Sequence, residues 1–162
     1  MEERVRSGQL RSIGVSNYGI SHLEELLASC EIRPACNQVE CHPLYPQEEL
    51  RMWCAARDIQ VVAYSSFGTG KLFDAPAVVQ VAREAGDTQA SVLLRWALQK
   101  NLCVLPKSIT PERIIEYDPT CLERPLPNLP GRYLSHAHEA LLDDMVKTDG
   151  PTKYCWDSSD VR

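Results

Sequence analysis

Between positions 105 and 114 the chain reads Leu105-Pro106-Lys107-Ser108-Ile109-Thr110-Pro111-Glu112-Arg113-Ile114. An ammonium and a hydroxyl follow a short apolar run. Thr110-Pro111 then has the form of a helix start, a threonine N-cap with proline at the first helical position. The N-terminus of a helix presents unpaired N–H groups to anions. Arg113, in the first turn, adds a planar fork that matches phosphate oxygens. Together these groups suit a phosphate monoester. Solvated charges beside an ordinary capped helix would give the same pattern.

A second cluster is Tyr64-Ser65-Ser66-Phe67-Gly68-Thr69-Gly70. An aromatic ring at the end of an apolar run offers a flat face to a cofactor ring. The serines and glycines behind it let backbone approach a pyrophosphate. The alternative is a strand followed by a glycine turn. A third group is Ser16-Asn17 with Gln38, whose amides can hold a carboxamide by paired hydrogen bonds. Asparagine is equally common as a simple loop cap. His42, in Cys41-His42-Pro43, has the chemistry of a general base but no evident carboxylate beside it, which favours a structural histidine. His136 and His138 have no third ligand in view, so no metal site is expected.

These residues need elements to hold them. Apolar runs at Ser12–Val15, Ala35–Val39, Ile59–Tyr64 and Leu102–Leu105 read as four strands, the third as one buried on both faces. Helical patterns lie between them. Ser21-His22-Leu23-Glu24 has the form of a capping box. A helix is expected from Pro46 to Arg57, another from Pro76 to Ala85 stopped by Gly86, and another from Thr88 to Lys100. The last begins at Thr110. Strands alternating with helices imply a parallel sheet with helices outside, and each polar cluster follows a strand, where α/β folds bind ligands. No Gly-x-Gly-x-x-Gly fingerprint occurs, which favours a barrel over a doubly wound sheet. After Glu116 four prolines, at 119, 125, 127 and 130, fall close together. No regular element is expected from Tyr117 to Leu134, and only a short amphipathic helix at Glu139–Lys147.

The 162 residues are 44% hydrophobic and 24% charged, with a formal net charge of -5. Length allows one domain with a real core. The acidic balance argues against nucleic acid as a partner. No run approaches a membrane span, and the charged start Met1-Glu2-Glu3-Arg4 argues against a secretory signal. The seven cysteines are scattered without Cys-x-x-Cys pairs, as expected of reduced thiols in a cytoplasmic protein.

Four stretches taken together resemble the aldo-keto reductase family in order and spacing. They are Gly8–Asn17, Pro34–Pro43, Val62–Ser65 and Leu105–Ile114. The resemblance implies a partial (β/α)8 TIM barrel, strands five to eight with their helices, over residues 1–116, followed by a divergent, mostly irregular tail over 117–162. It implies NADP as cofactor. Ser16, Asn17 and Gln38 would hold the nicotinamide carboxamide, and Tyr64 would stack on its ring. Ser65 and Phe67 would line the pyrophosphate path. Lys107, Ser108 and Arg113 would bind the 2′-phosphate, and Glu116 would contact adenine. The family reduces aldehyde or ketone carbonyls, with a small carbonyl compound as substrate. Its catalytic aspartate, tyrosine, lysine and histidine belong to the first half of the barrel. No catalytic residue is therefore assigned here. The chain also departs after Glu116, where Tyr117-Asp118-Pro119 replaces the family's asparagine and its continuation. The alternative to a cofactor-binding half of an oxidoreductase is a non-enzymatic product that binds nucleotide weakly, or that associates with another chain or itself through strand edges near Ile13 and Val104.

Overall fold

The computed structural model describes residues 1–155. In chain order the elements are α1 (Glu2–Arg6), β1 (Val15–Ser16), α2 (Ile20–Ser29), β2 (Cys36–Glu40), α3 (Glu48–Ala55), β3 (Gln60–Tyr64), a kinked 3-10 segment (Gly68–Asp74), α4 (Pro76–Ala85), α5 (Gln89–Gln99), β4 (Cys103–Val104), α6 (Pro111–Glu116), α7 (Pro119–Glu123), α8 (His136–Asp143) and α9 (Met145–Asp149). The strands form one parallel sheet in the order β1-β2-β3-β4. The expected alternation of strand and helix is therefore present, and the fold is α/β. No described helix is long and apolar enough to cross a membrane.

The chain divides into two compact units. The first comprises Met1–Val39 and Gln47–Val62, the second Glu40–Pro46 and Ala63 onward. In the first, Val15 lies opposite Asn37 and Ser16 opposite Gln38. Gly14 permits this approach, because a Cβ there would sit 2.5 Å from the Cys36 sulfur and 2.9 Å from its carbonyl oxygen. Leu23, Leu50, Cys54 and Ile59 are buried within this unit.

Two helix starts differ from expectation. α2 begins at Ile20 with Gly19 as N-cap, and Nδ1 of His22 lies 3.4 Å from the Gly19 nitrogen. Asn17 takes φ 59 directly after β1, so the chain has turned before Ser21 can cap. α3 begins at Glu48 because Gln47, at φ 50 and ψ 37, breaks the path from Pro46. Pro46 thus lies outside the helix. Along β3 burial alternates, with Val61 and Ala63 buried and Gln60, Val62 and Tyr64 half-buried. The strand is not buried equally on both faces, as its continuous apolar run suggested.

In the second unit α4 has the expected bounds. Pro76 opens it, and Gly86 ends it at φ 70, where a side chain would be strained. Thr88 caps α5 by accepting the N–H of Ser91 at 3.1 Å. Every residue from Ala90 to Ala97 is buried, the mark of a helix surrounded by its own unit. Arg95 lies inside that run, 2% exposed. Its guanidinium donates to the carbonyls of Leu122, Arg124 and Arg132, and its Nε donates to the Ser91 hydroxyl at 3.1 Å. Asp87 stands 3.6 Å away as counter-charge.

Those carbonyls belong to the tail expected to be irregular. Against expectation it carries α7, while α8 and α9 fall where a short helix over Glu139–Lys147 is expected. Pro119 takes the first position of α7, where its missing N–H costs nothing, and Asp118 caps it by accepting the Thr120 N–H at 2.8 Å. The proline density does hold 124–134 in turns and extended backbone. Leu122, Leu126, Leu134 and Leu142 are buried. α8 is tied to α5 by Asp143, which accepts from the Trp96 indole at 2.8 Å and from the Lys100 ammonium at 2.7 Å.

Candidate functional site

β3 and β4 end side by side in the second unit, where the Leu105 N–H donates to the Ala63 carbonyl at 3.2 Å. This pairing brings together two clusters some forty positions apart in sequence. The ends of both strands open on one cleft of about 520 Å³. Tyr64, Ser65, Ser66, Phe67, Thr69 and Gly70 line it from β3, and Lys107, Ser108, Thr110 and Arg113 from β4 and α6. Of the ten expected cofactor-site residues, Tyr64, Ser65, Phe67, Lys107, Ser108 and Arg113 share this wall.

Lys107 and Arg113 are exposed, and among the described residues neither is paired with a carboxylate. Two cations flanking hydroxyls without a counter-ion make an anion-attracting surface. The helix-terminus contribution is smaller than expected. α6 has six residues, and the Thr110 N–H is already donated to the Ser108 hydroxyl at 3.0 Å. Thr110 makes no side-chain cap. The attraction therefore rests on side-chain charge.

The loop after β3 is held in an uncommon conformation. Ser65 takes φ 56 and Thr69 φ 56, both in the left-handed region, which costs a non-glycine residue about 1 kcal/mol or more. Gly68 and Gly70 spend their N–H groups on Ser65 and Phe67 carbonyls within the loop. Among the described residues the Phe67 N–H has no such bond. Ser66 is buried and donates to the Ala63 carbonyl at 3.2 Å, so it serves the loop and not a ligand.

Glu116 does not line the cleft. Its carboxylate accepts the hydroxyl of Thr88. Two cleft residues, Phe73 and Tyr117, lie outside the clusters read from sequence. Phe73 and Tyr117 close the aromatic wall behind Phe67, with ring centroids 5.2 Å apart in each pair, and Ile109 stands at the rim, 84% exposed. Phe67 and Phe73 are the only two phenylalanines of the chain, a signal that was legible. Tyr117 also borders a second cavity of about 540 Å³ formed with Leu98, Val104, Leu122 and Tyr133.

Ser16, Asn17 and Gln38 fall in the first unit. The Ser16 hydroxyl donates to the Gln38 carbonyl at 2.9 Å, and the Asn17 N–H donates to the same oxygen at 2.9 Å. The Asn17 amide also donates to the Ser16 oxygen at 3.3 Å. The three residues are thus brought together, with the Ser16 proton already committed.

His42 has the carboxylate partner that sequence reading missed. Its Nε2 lies 3.1 Å from Glu40, two residues earlier, and both side chains are fully buried. Burial lowers the imidazole's affinity for a proton, and the neighbouring carboxylate only partly offsets this. Glu40 also accepts the N–H groups of Tyr154 at 2.7 Å and Cys155 at 3.1 Å. The Cys155 thiol reaches the Ser65 hydroxyl at 3.4 Å, and the Tyr154 ring lies 5.3 Å from that of His42. His42 is a structural residue here. His138, expected to ligate nothing, pairs with Glu84 at 3.0 Å. Among the described residues no three metal-ligating groups meet.

The model of the Aldo/keto reductase family matches residues 1–117. A glyoxal reductase of Bacillus subtilis is 45% identical over 116 residues, 72% of this chain and 42% of that protein. Among solved structures, an aldo-keto reductase enzyme from a Medee basin deep-sea metagenome library superposes with a TM-score of 0.84 at 25% identity, covering 99% of this chain and 57% of that one. An aldo-keto reductase solved in complex with NADPH superposes at 0.79 with 29% identity, covering 96% and 47%. The chain therefore spans about half, or somewhat less, of the length of these proteins.

Proposed function

Because the chain belongs to the aldo/keto reductase family, we propose that it carries the cofactor-binding half of an NADP-dependent carbonyl reductase. In this reading its four strands are the fifth to eighth of a (β/α)8 barrel, and the dinucleotide lies along the cleft of the second unit. The observation that carries it is the pair of cations, Lys107 and Arg113, without carboxylate partners among the described residues, beside two hydroxyls and an aromatic wall. A dinucleotide bearing an extra phosphate fits that donor set. NAD, which has a ribose hydroxyl in place of that phosphate, would leave the cations without a partner. The NADPH complex of a structural neighbour supports the same cofactor.

When bound, the dihydronicotinamide supplies hydride to a carbonyl carbon, giving the alcohol. This chain's residues bind and orient. Lys107 contributes a point charge to the 2′-phosphate, Arg113 a fork, and Ser108 a hydroxyl. Ser65 and the Phe67 N–H line the pyrophosphate path, and Tyr64 offers its ring to the nicotinamide. The family resemblance assigns the carboxamide to Ser16, Asn17 and Gln38 of the first unit. Glu116 does not line the cleft and its carboxylate accepts the Thr88 hydroxyl, so it is not counted among the cofactor contacts. The name of one relative, a glyoxal reductase, points to small aldehydes as the substrate class. None of the residues assigned here is a proton donor to the carbonyl, so these 162 residues are expected to bind NADPH without oxidising it.

The test is calorimetric titration of NADP and NAD into the wild-type chain, Lys107→Ala and Arg113→Ala. Each substitution should weaken NADP about tenfold, at 1.4 kcal/mol per decade and roughly 1.5–3 kcal/mol per charged hydrogen bond, and leave NAD nearly unchanged. Equal losses for both nucleotides would refute phosphate reading. Absence of binding by either would refute the function.

A further inference from the structure

The cleft has two chemically distinct ends, and the second is not accounted for by phosphate. Phe67, Phe73 and Tyr117 stand in one cluster. Phe67 meets Phe73 at 5.2 Å and 40°, and Tyr117 at 5.2 Å and 48°. All three line the cleft and are half-buried, so the rings retain surface toward the cavity after packing on one another. Rings that served only as core would be covered.

Tyr117 is tied to the cationic end by helix geometry. It follows Arg113 by one turn of α6, and its N–H donates to the Arg113 carbonyl at 3.1 Å. Residues at that spacing are neighbours on one face, with Cβ atoms about 5–6 Å apart. In a 2′-phosphorylated nucleoside the phosphate and the base sit on adjacent ribose carbons, C2′ and C1′. A phosphate held by Arg113 therefore brings its own base within reach of the next ring on that face, which is Tyr117.

We propose that Tyr117, seated against Phe67, is the platform on which the purine base of the 2′-phosphorylated nucleotide stacks. The proposal rests on the reading that the cleft takes NADP, and adds how the base is held. Recognition is by the π-face and not by the base's hydrogen-bonding edge. Stacking tolerates different bases because each has such a face, so the exocyclic group should matter little. Ile109, exposed at the rim of the same cleft, is an apolar group that a bound base would partly cover.

The experiment uses the full chain with adenosine 2′-monophosphate, inosine 2′-monophosphate and inorganic phosphate. On the wild type, both nucleotides should bind about tenfold or more tighter than phosphate and within about twofold of each other. The purine H2 and H8 resonances should move upfield on binding, a ring-current signature that needs no mutant. Tyr117→Leu should weaken both nucleotides about tenfold, abolish the upfield shift and leave phosphate unchanged. Tyr117→Phe should retain both. Nucleotide binding without an upfield shift would overturn the platform while leaving NADP binding intact, as would undiminished affinity in Tyr117→Leu. A preference of tenfold or more for adenine over hypoxanthine would overturn recognition by the π-face. If the wild type binds neither nucleotide nor NADP, the underlying reading fails and this one with it.

Discussion

The carboxylate of Glu40 accepts the backbone N–H of Tyr154 at 2.7 Å, across a separation of 114 residues. The same carboxylate accepts the Cys155 N–H and lies 3.1 Å from the His42 ring. A fully buried carboxylate is tolerated only with such partners. It therefore fastens the end of the described chain to the end of β2.

Glu40→Ala removes one acceptor and leaves two N–H groups and an imidazole without it. Each buried orphan costs about 1–3 kcal/mol, so a loss of about 3 kcal/mol is expected in urea denaturation. Glu40→Gln keeps one acceptor oxygen and should lose roughly half of that. Hydrogen exchange at the Tyr154 and Cys155 amides should quicken in both variants. Unchanged protection would show that the fastening is not held by Glu40.

His42 sets a pH dependence. Its pKa is depressed from 6.5 by burial, against the opposing pull of Glu40. Above 6.5 both folded and unfolded chains carry neutral imidazole, and its contribution is fully present. As pH falls below 6.5 the unfolded chain takes a proton that the folded chain refuses, and stability is lost toward the depressed folded value. The slope approaches one proton, about 1.4 kcal/mol per pH unit. Denaturation midpoints of the wild type and His42→Gln should diverge in this window, the variant being flatter. Parallel curves would mean that folding does not depress the His42 pKa.

Arg95 joins a buried helix to the segment around Leu122, Arg124 and Arg132. Arg95→Met preserves length and apolar volume but leaves three carbonyls and Asp87 without the guanidinium. Removing one partner of a buried charge pair costs on the order of 3–5 kcal/mol, and limited proteolysis should concentrate between residues 124 and 134. Wild-type stability with wild-type protease resistance would show that this segment packs by its leucines alone.

Salt should compress nucleotide selectivity. Lys107 and Arg113 are exposed, and charges in water are screened over about 8 Å at physiological ionic strength. The NADP-to-NAD affinity ratio should fall several-fold between about 0.05 M and about 0.5 M salt. A ratio independent of salt would place the discrimination in neutral hydrogen bonds.

Residue order was sufficient wherever the deciding interaction is local. Pro76 and Gly86 bound α4, and Thr88 caps α5, because proline, glycine and a hydroxyl act within one turn. The apolar runs located all four strands, and the clusters at Tyr64 and Lys107 were legible as strand ends. That they form one cleft followed from β3 and β4 being neighbours, a fact of the sheet. Local signals failed where two of them competed. Ser21 is a good cap, yet the left-handed Asn17 had already turned the chain. The prolines after Glu116 predict no regular element from Tyr117 to Leu134, but Asp118 and Pro119 start a helix whose Leu122 is buried. The N–H groups that Glu40 accepts, the carbonyls around Arg95 and the place of Tyr117 in the cleft leave no periodic trace. Each depends on which backbone or ring arrives from a distant part of the chain, and only tertiary packing settles that. A buried charge declares its position by residue type, but its partners are backbone groups that every residue carries alike.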